Sequence, residues 1–263
     1  MERSKRLRAL VLGLRDSGAT QREATFLSDE EGLMRATVWG GAKSSLRSLV
    51  APWHLGTLYL YHNPVRNASK VSDFDVVNQF AGIRENLDRS WAANAISEVI
   101  LSSPGAAANQ NDAAAPHTEA LALAIDTLEA LDVANEAACK PLFLRWLWRW
   151  LDLMGLAPDP RRCADCACEL SADAVVWYLS REGVILCEVC RDRIRNEGFS
   201  APGLSSALSP ALRRWLSGPC MRPALPLARA SLDRSLLAEA GLLVPALARE
   251  AMGRELSVWN SWP

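Results

Sequence analysis

The segment CADCACELSADAVVWYLSREGVILCEVC, Cys163 to Cys190, constrains this chain most strongly, because it places two Cys-x-x-Cys pairs 20 residues apart. Such a turn sets two thiolates on one metal, and two turns joined by a hairpin-length insert complete the tetrahedral four-cysteine set that structural zinc prefers. The insert supplies that hairpin, since AVVWYLS and GVILC flank the turn REG, and RDRIRNEG after Cys190 reads as a short helix. The expected ligands are Cys163, Cys166, Cys187 and Cys190, holding one structural Zn2+ per chain. Cys168 is surplus, a bystander or an alternative to Cys166, and Cys139 and Cys220 have no partner spacing.

Disulfides are the weaker reading. The N-terminal stretch MERSKRLRALVLGLRDSG breaks its apolar run with Arg15 and Asp16, unlike a secretory signal. No later stretch approaches the ~18 uninterrupted apolar residues of a membrane span. The chain is therefore expected to be cytoplasmic, with no membrane partner. In a reducing compartment seven cysteines serve as metal ligands or buried apolar groups rather than as disulfides.

A closed shell of four thiolates leaves no position for water or substrate, so it argues for structure over catalysis. A zinc-dependent enzyme is the minor alternative. His117 to Glu119 match the H-x-E half of a zinc deaminase, but Arg162 precedes Cys163 where that pattern has proline, and Cys187 and Cys190 stay unexplained. GGAKSS fails as a phosphate loop, because Ala42 separates Gly41 from Lys43. The sequence singles out neither a Ser/His/Asp order nor a carboxylate pair, and no enzyme is expected.

Charge is balanced overall but not along the chain. Residues 1 to 70 hold 11 Lys and Arg against 6 Asp and Glu, a net of +5, so the total of -1 leaves -6 for the rest. A basic end of this kind suits a polyanion. The same region carries five short runs rich in Val, Thr, Leu and aromatics: LRALVLGLR, REATFLS, LMRATVWGG, GTLYLYH and SKVSDFDVV. SDEEG and HNPVRN punctuate them as turns. Five strands in so short a span fit an OB-fold barrel, and the link GGAKSSLRSLVAPWH lies where that fold places a helix.

Beyond Val76 the pattern turns helical, through VVNQFAGIRENLDRSWAANAISEVILSS and TEALALAIDTLEALDVA, with a low-complexity loop SPGAAANQNDAAAPH between. PLFLRWLWRWLDLMG is expected to start at Pro141 and stop at Gly155. Phe143, Trp146, Leu147, Trp150, Leu151 and Met154 form its apolar arc, while Arg145, Arg149 and Asp152 share a polar edge and Trp148 sits on the flank. The expected fold is α+β: a five-stranded OB-fold domain over 1–76, then an all-α domain over 77–263 with an inserted four-cysteine zinc-finger module at about 158–197.

This order of parts resembles the RecO family of bacterial DNA repair and recombination proteins. EEGLMRATVWGGAKSSLRSLVAPW in the barrel, LWRWLDLMGLAPDPRRCADC, LCEVC and the last helix PALAREAMGRELSVWNSW carry the likeness. The chain departs from the family pattern at Ala19 and Thr20, where an acidic residue is common, and at Ser45 and Leu46, which displace Arg47 by one position. The resemblance implies a recombination mediator that binds single- and double-stranded DNA and anneals complementary strands. It also implies contact with the C-terminal tail of single-strand-binding protein and joint action with RecR in loading RecA, an indirect partner. A nucleoid association when DNA-bound follows. A zinc-stabilised RNA-binding or transcription adaptor is the alternative, separable by competition between DNA and RNA of one sequence.

The phosphate-binding candidates are Arg3, Lys5, Arg6, Arg8, Arg35, Lys43 and Arg47. Trp39, Trp53 and Tyr59 are candidates for base stacking, and each is equally suited to the core.

Overall fold

The structure is a computed structural model of the 263-residue chain. It describes residues 4–18, 20–40, 44–65, 68–103, 116–180, 182–196, 205–218 and 232–262. Arg3, Lys43, Cys220 and most of the low-complexity loop lie outside the described residues.

Strands β1 (Ser4–Asp16), β2 (Gln21–Ser28), β3 (Gly32–Trp39), β4 (Leu55–Asn63) and β5 (Ala68–Asn78) form a closed barrel in the order β1-β2-β3-β5-β4. β1 serves two neighbours. Its first half pairs with β4, from Ser4 opposite Tyr61 to Leu10 opposite Leu55, and its second half pairs with β2. A bulge between Val11 and Gly13 bends it from one to the other. A parallel contact, Thr37 opposite Lys70, closes the ring between β3 and β5. The five expected runs are the five strands, and a short helix α1 (Ser45–Leu49) occupies the expected link.

Alternation along each strand sorts side chains into two environments. Leu7, Ala9, Val11, Phe26, Met34, Leu58 and Phe74 fill the barrel interior, where Phe26 meets Phe74 edge-on at 6.1 Å. Leu10, Leu12, Leu27 and Leu55 face outward and share a second core with the helices. The seam is tight at Gly32, whose φ of +62° suits glycine and where a Cβ would meet the His117 ring at 2.5 Å.

Helices α2 (Ala81–Arg84), α3 (Leu87–Ser102), α4 (His117–Asp132) and α5 (Glu136–Leu153) follow the barrel. α5 begins five residues before Pro141, not at it. Asn135 caps it, its side chain accepting from the Ala138 amide at 2.9 Å, an interaction worth about 1 kcal/mol. Pro141 is inside the helix, where it lacks the amide that would reach the Ala137 carbonyl. The expected stop is correct. Gly155, at φ +69°, closes α5 with Gly155 N–H to Asp152 O at 3.0 Å and Leu156 N–H to Leu151 O at 2.8 Å.

Arg145 does not lie on a polar edge. It is buried over the Trp215 ring, its centroid 5.5 Å away, and it donates to the carbonyls of Trp215 and Gly218. Trp148 is core as well, donating to Leu216 O at 3.0 Å. Both hold α7 (Pro210–Ser217) against α5.

The cysteine segment forms the hairpin β6 (Val176–Leu179) and β7 (Val184–Cys187), followed by α6 (Glu188–Asn196). A third strand unforeseen from sequence, β8 (Ser205–Leu208), pairs with β6. The last expected helix is two, α8 (Arg234–Met252) and α9 (Ser257–Ser261), parted where Gly253 turns at φ +65°. Glu98 of α3 receives the start of α9, accepting from Ser257 N–H at 2.8 Å and Val258 N–H at 2.9 Å.

Arg213 of α7 fastens the cysteine module to this body. It is 3% exposed, and its guanidinium donates to the carbonyls of Pro160, Leu170, Ser171 and Ala174 at 2.7–3.3 Å. Burial lowers its pKa, and among the described residues no carboxylate offsets that cost. The carbonyls do so instead. Replacing Arg213 by Met removes the donors to four carbonyls, of which Pro160 O is buried and the others partly so, so the unfolding free energy should fall by about 2 kcal/mol or more in urea denaturation. A change within experimental error would show that the clamp is dispensable.

Candidate metal centre and nucleic-acid interface

Cys163, Cys166, Cys187 and Cys190 converge, their sulfurs all within 4.8 Å of one another. Bonds of about 2.3 Å to one tetrahedral ion would space neighbouring sulfurs about 3.8 Å apart. The Cys166–Cys187 separation of 3.9 Å fits that figure. Among the described residues no histidine or carboxylate joins this group. His117 packs on Gly32 of the barrel instead, which removes the sequence basis for a deaminase half-site.

Local backbone geometry brings the four together. Residues 161–170 form a tight hairpin with Leu170 N–H to Arg161 O at 2.8 Å and Cys163 N–H to Cys168 O at 3.0 Å. Ala167 takes φ +57° at its tip, an uncommon conformation for a residue with a Cβ. Ala164 N–H donates to Ile185 O at 2.9 Å, pinning the hairpin to β7. Amides point at sulfur: Cys187 N–H to Cys163 Sγ at 3.3 Å and Cys190 N–H to Cys187 Sγ at 3.4 Å. Such bonds favour thiolates.

The titration directions agree in part. Burial pushes the Cys163 thiol up, but the amides of Cys166, Cys187 and Asp165 outweigh it and hold it below the ordinary value. The Cys168 amide and thiol draw Cys166 down to about 6. Cys190 goes the other way, held up first by its hydrogen bond to the Asp165 carboxylate. A bound dication would reverse that, because its own charge dominates the site. Cys168 stands exposed beside Cys166 and Cys187, outside the four, and is pushed up to about 12 by its hydrogen bond to Cys166.

The barrel distributes the basic candidates unequally. Arg6 and Arg8 alternate with the inward Leu7 and Ala9, so both face out from β1. Arg6 lies over the Tyr59 ring at 5.9 Å and is its cross-strand partner. Arg35 faces out from β3 on the same face as the half-exposed Trp39, four residues on, and its side chain is 70% exposed and 3.8 Å from Glu23. Lys5 is paired with Glu31 at the barrel rim. Arg47 is largely buried, 3.8 Å from Asp16 and donating to Gly40 O at 3.4 Å.

Trp53 is a core residue. It turns out of the barrel at φ +66°, is buried among the helices, and donates to Ser97 Oγ at 3.3 Å. Sequence reasoning missed Tyr61, which is 40% exposed on the wall shared by Arg6, Arg8 and Tyr59, and Lys70, its cross-strand partner. The alternation in LYLYH carried the signal, since residues two apart on a strand share a face. Asp73 and Asp75 border this wall on β5, and Asp75 accepts from the Tyr59 hydroxyl at 3.0 Å.

If the four cysteines share one metal ion, the purified protein should carry about one equivalent by elemental analysis. Serine at the buried Cys163 or Cys190 should abolish it and lower the unfolding free energy by about 2 kcal/mol or more. Serine at Cys168 should leave both nearly unchanged. Equal losses at Cys168 and Cys166 would refute this ligand set.

Comparison with known proteins follows the same outline. The chain is 29% identical over 187 residues to DNA repair protein RecO of Desulforamulus reducens, covering 70% of this chain and 68% of that one. It is 27% identical over 195 residues to DNA repair protein RecO of Synechococcus sp. strain JA-3-3Ab, covering 70% and 60%. With the protein of that name from Anaeromyxobacter sp. strain Fw109-5 the identity is 27% over 259 residues, covering 96% of this chain and 93% of the relative. The family profile described as Recombination protein O C terminal matches residues 84–220, more than half of the sequence and the whole stretch from α3 through the cysteine module to α7. The chain belongs to the RecO family.

Proposed function

We propose that this chain is a non-enzymatic recombination mediator in DNA repair, cytoplasmic and nucleoid-associated when bound. In this reading 1–76 is the DNA-binding domain, 77–263 the helical domain, and one structural Zn2+ on Cys163, Cys166, Cys187 and Cys190 orders the module at about 158–197. When bound, the ion supplies a rigid cross-link and no reaction. The residues present fit it, through their sulfur spacing and the amides donated to sulfur.

The observation that carries the reading is the wall of Arg6, Arg8, Tyr59 and Tyr61 on an otherwise closed barrel, flanked by Lys70 and, on β3, by Arg35 and Trp39. Guanidinium and ammonium groups contact phosphates, and exposed rings stack bases without regard to sequence. Annealing then requires no active site. Cations that neutralise two strands remove their repulsion, and base pairing supplies the free energy. RecR and, indirectly, RecA are the partners expected downstream. The test is annealing of complementary strands coated with single-strand-binding protein, with and without RecR. No acceleration in either condition would overturn the reading.

Arg6→Ala, Arg8→Ala and Lys43→Ala together should weaken DNA binding across unrelated sequences and flatten its salt dependence by about 0.7 to 0.9 in log-log slope per lost contact. Loss of the exposed Arg6 and Arg8 should hardly move stability, because exposed charges contribute little to folding. A folded triple variant with the parent's affinity and slope would remove this wall from the DNA surface.

For the C-terminal tail of single-strand-binding protein we propose the helical body, which is net acidic yet rich in apolar arcs. An open cleft of about 420 Å³ there is lined by Arg149, Arg161, Asp152, Asp159 and Pro158, with edges of the buried Trp148 and Leu216. Arg149→Ala with Arg161→Ala should weaken binding of a labelled tail peptide by roughly tenfold in fluorescence anisotropy, as loss of charge-assisted hydrogen bonds predicts. An unchanged Kd would place the tail elsewhere.

A further inference from the structure

The cysteine site contains five thiols within one small module where four suffice. The fifth has a definite place. Cys168 is exposed, lies against Cys166, and is separated from it only by Ala167, whose φ of +57° folds the chain into a tight tip. Cys166 is exposed as well, whereas Cys163 and Cys190 are buried and Cys187 is half-buried. A diffusing oxidant therefore reaches Cys166 before the other three of the convergent set, and a second thiol already waits beside it.

We propose that Cys166 and Cys168 form a reversible disulfide in response to a peroxide, and that this modification opens the metal site. The inference rests on the reading of the four cysteines as a metal centre. In the first step the Cys166 sulfur attacks one peroxide oxygen, the O–O bond breaks, and a sulfenic acid and one water result. In the second step the Cys168 thiol attacks the sulfenic sulfur, the S–O bond breaks, and a second water leaves. The two thiols give up two electrons and two protons, and hydrogen peroxide is reduced to two waters. Cys166 is then no longer available as a thiolate, and a four-ligand shell drops to three.

The backbone supports this pairing. A disulfide needs Cα atoms about 4.4–6.8 Å apart, which residues two apart around a tight turn provide. Anchors lie on either side of the tip. Cys168 O accepts from Cys163 N–H at 3.0 Å, and Ala167 N–H donates to Cys163 O at 2.9 Å, so the bond can form without unfolding the hairpin base. The principal competitor is Cys187, whose sulfur is 3.9 Å from that of Cys166. It is less exposed, and it is tied into β7 and α6 at the point where they meet.

The experiment treats the full chain with stoichiometric hydrogen peroxide. It follows metal release with a chromogenic zinc chelator and maps disulfides by alkylation and peptide mass spectrometry. The parent should release its metal and yield a Cys166–Cys168 disulfide, and thioredoxin-class reductant with added zinc should restore the reduced, loaded form. Cys168→Ser should load normally and release metal roughly tenfold more slowly, since the sulfenic acid lacks its resolving thiol. Equal release rates, or a Cys166–Cys187 disulfide in the parent, would overturn the proposal. If the parent carries no metal, the metal reading fails, and the disulfide map alone decides the pairing.

Discussion

Burial of α5 is the constraint on which the rest of the helical half depends. Phe143, Trp146 and Trp150 form a stacked column along it, at centroid separations of 6.1 and 5.4 Å, and Trp259 of α9 extends the column at 5.5 Å from Phe143. Each such contact contributes about 1 kcal/mol beyond the area it buries. The opposite flank works through polar atoms. Arg145 and Trp148 donate to carbonyls at the end of α7, so α7 can lie in one orientation only. That orientation aims Arg213 at the loops of the cysteine module. The sequence of dependence therefore runs from an aromatic helix, through carbonyls, to the four-cysteine cluster.

The barrel solves a different problem, because its strands must satisfy two cores and a solvent face. Leu7, Ala9 and Val11 point inward, Leu10 and Leu12 point to the helices, and Arg6 and Arg8 take the same outward parity at the uncovered end. One alternating strand thus turns from core packing to display within two residues. Outward residues under α3 and α4 are leucines, and outward residues beyond them are arginines, tyrosines and aspartates. The helices decide where the polar surface can begin.

Much of this was legible in the sequence where the determining interactions are local. The five strands followed from alternation, the hairpin and four cysteines from spacing, and the stop at Gly155 from glycine's tolerance of positive φ. Three of the failures share a cause in distance along the chain. Arg145 looks like an edge residue until α7 arrives 70 positions later, and Trp53 looks like a stacking ring until Ser97 receives its N–H. β8 is four residues long and exists because β6 offers it an edge. Pro141 misled for a local reason. A cap at Asn135 outweighs the one amide that proline removes, so the helix starts earlier than proline suggests.

Charge asymmetry gives the two halves distinct electrostatic roles. The net of +5 over residues 1–70 and -6 over the remainder nearly cancel in total. They do not cancel in space, because at physiological salt a surface charge is felt over only about 8 Å. A polyanion approaching the barrel wall meets Arg6, Arg8 and Lys70 and is largely screened from the acidic helices. The converse holds for an acidic peptide. It finds no general attraction to the helical body, and in the proposed reading it would depend on local groups such as Arg149 and Arg161, which share a cleft with Asp152 and Asp159. If the proposed function holds, short-range arginine geometry rather than net charge would distinguish a nucleic-acid strand from a peptide tail on one nearly neutral molecule.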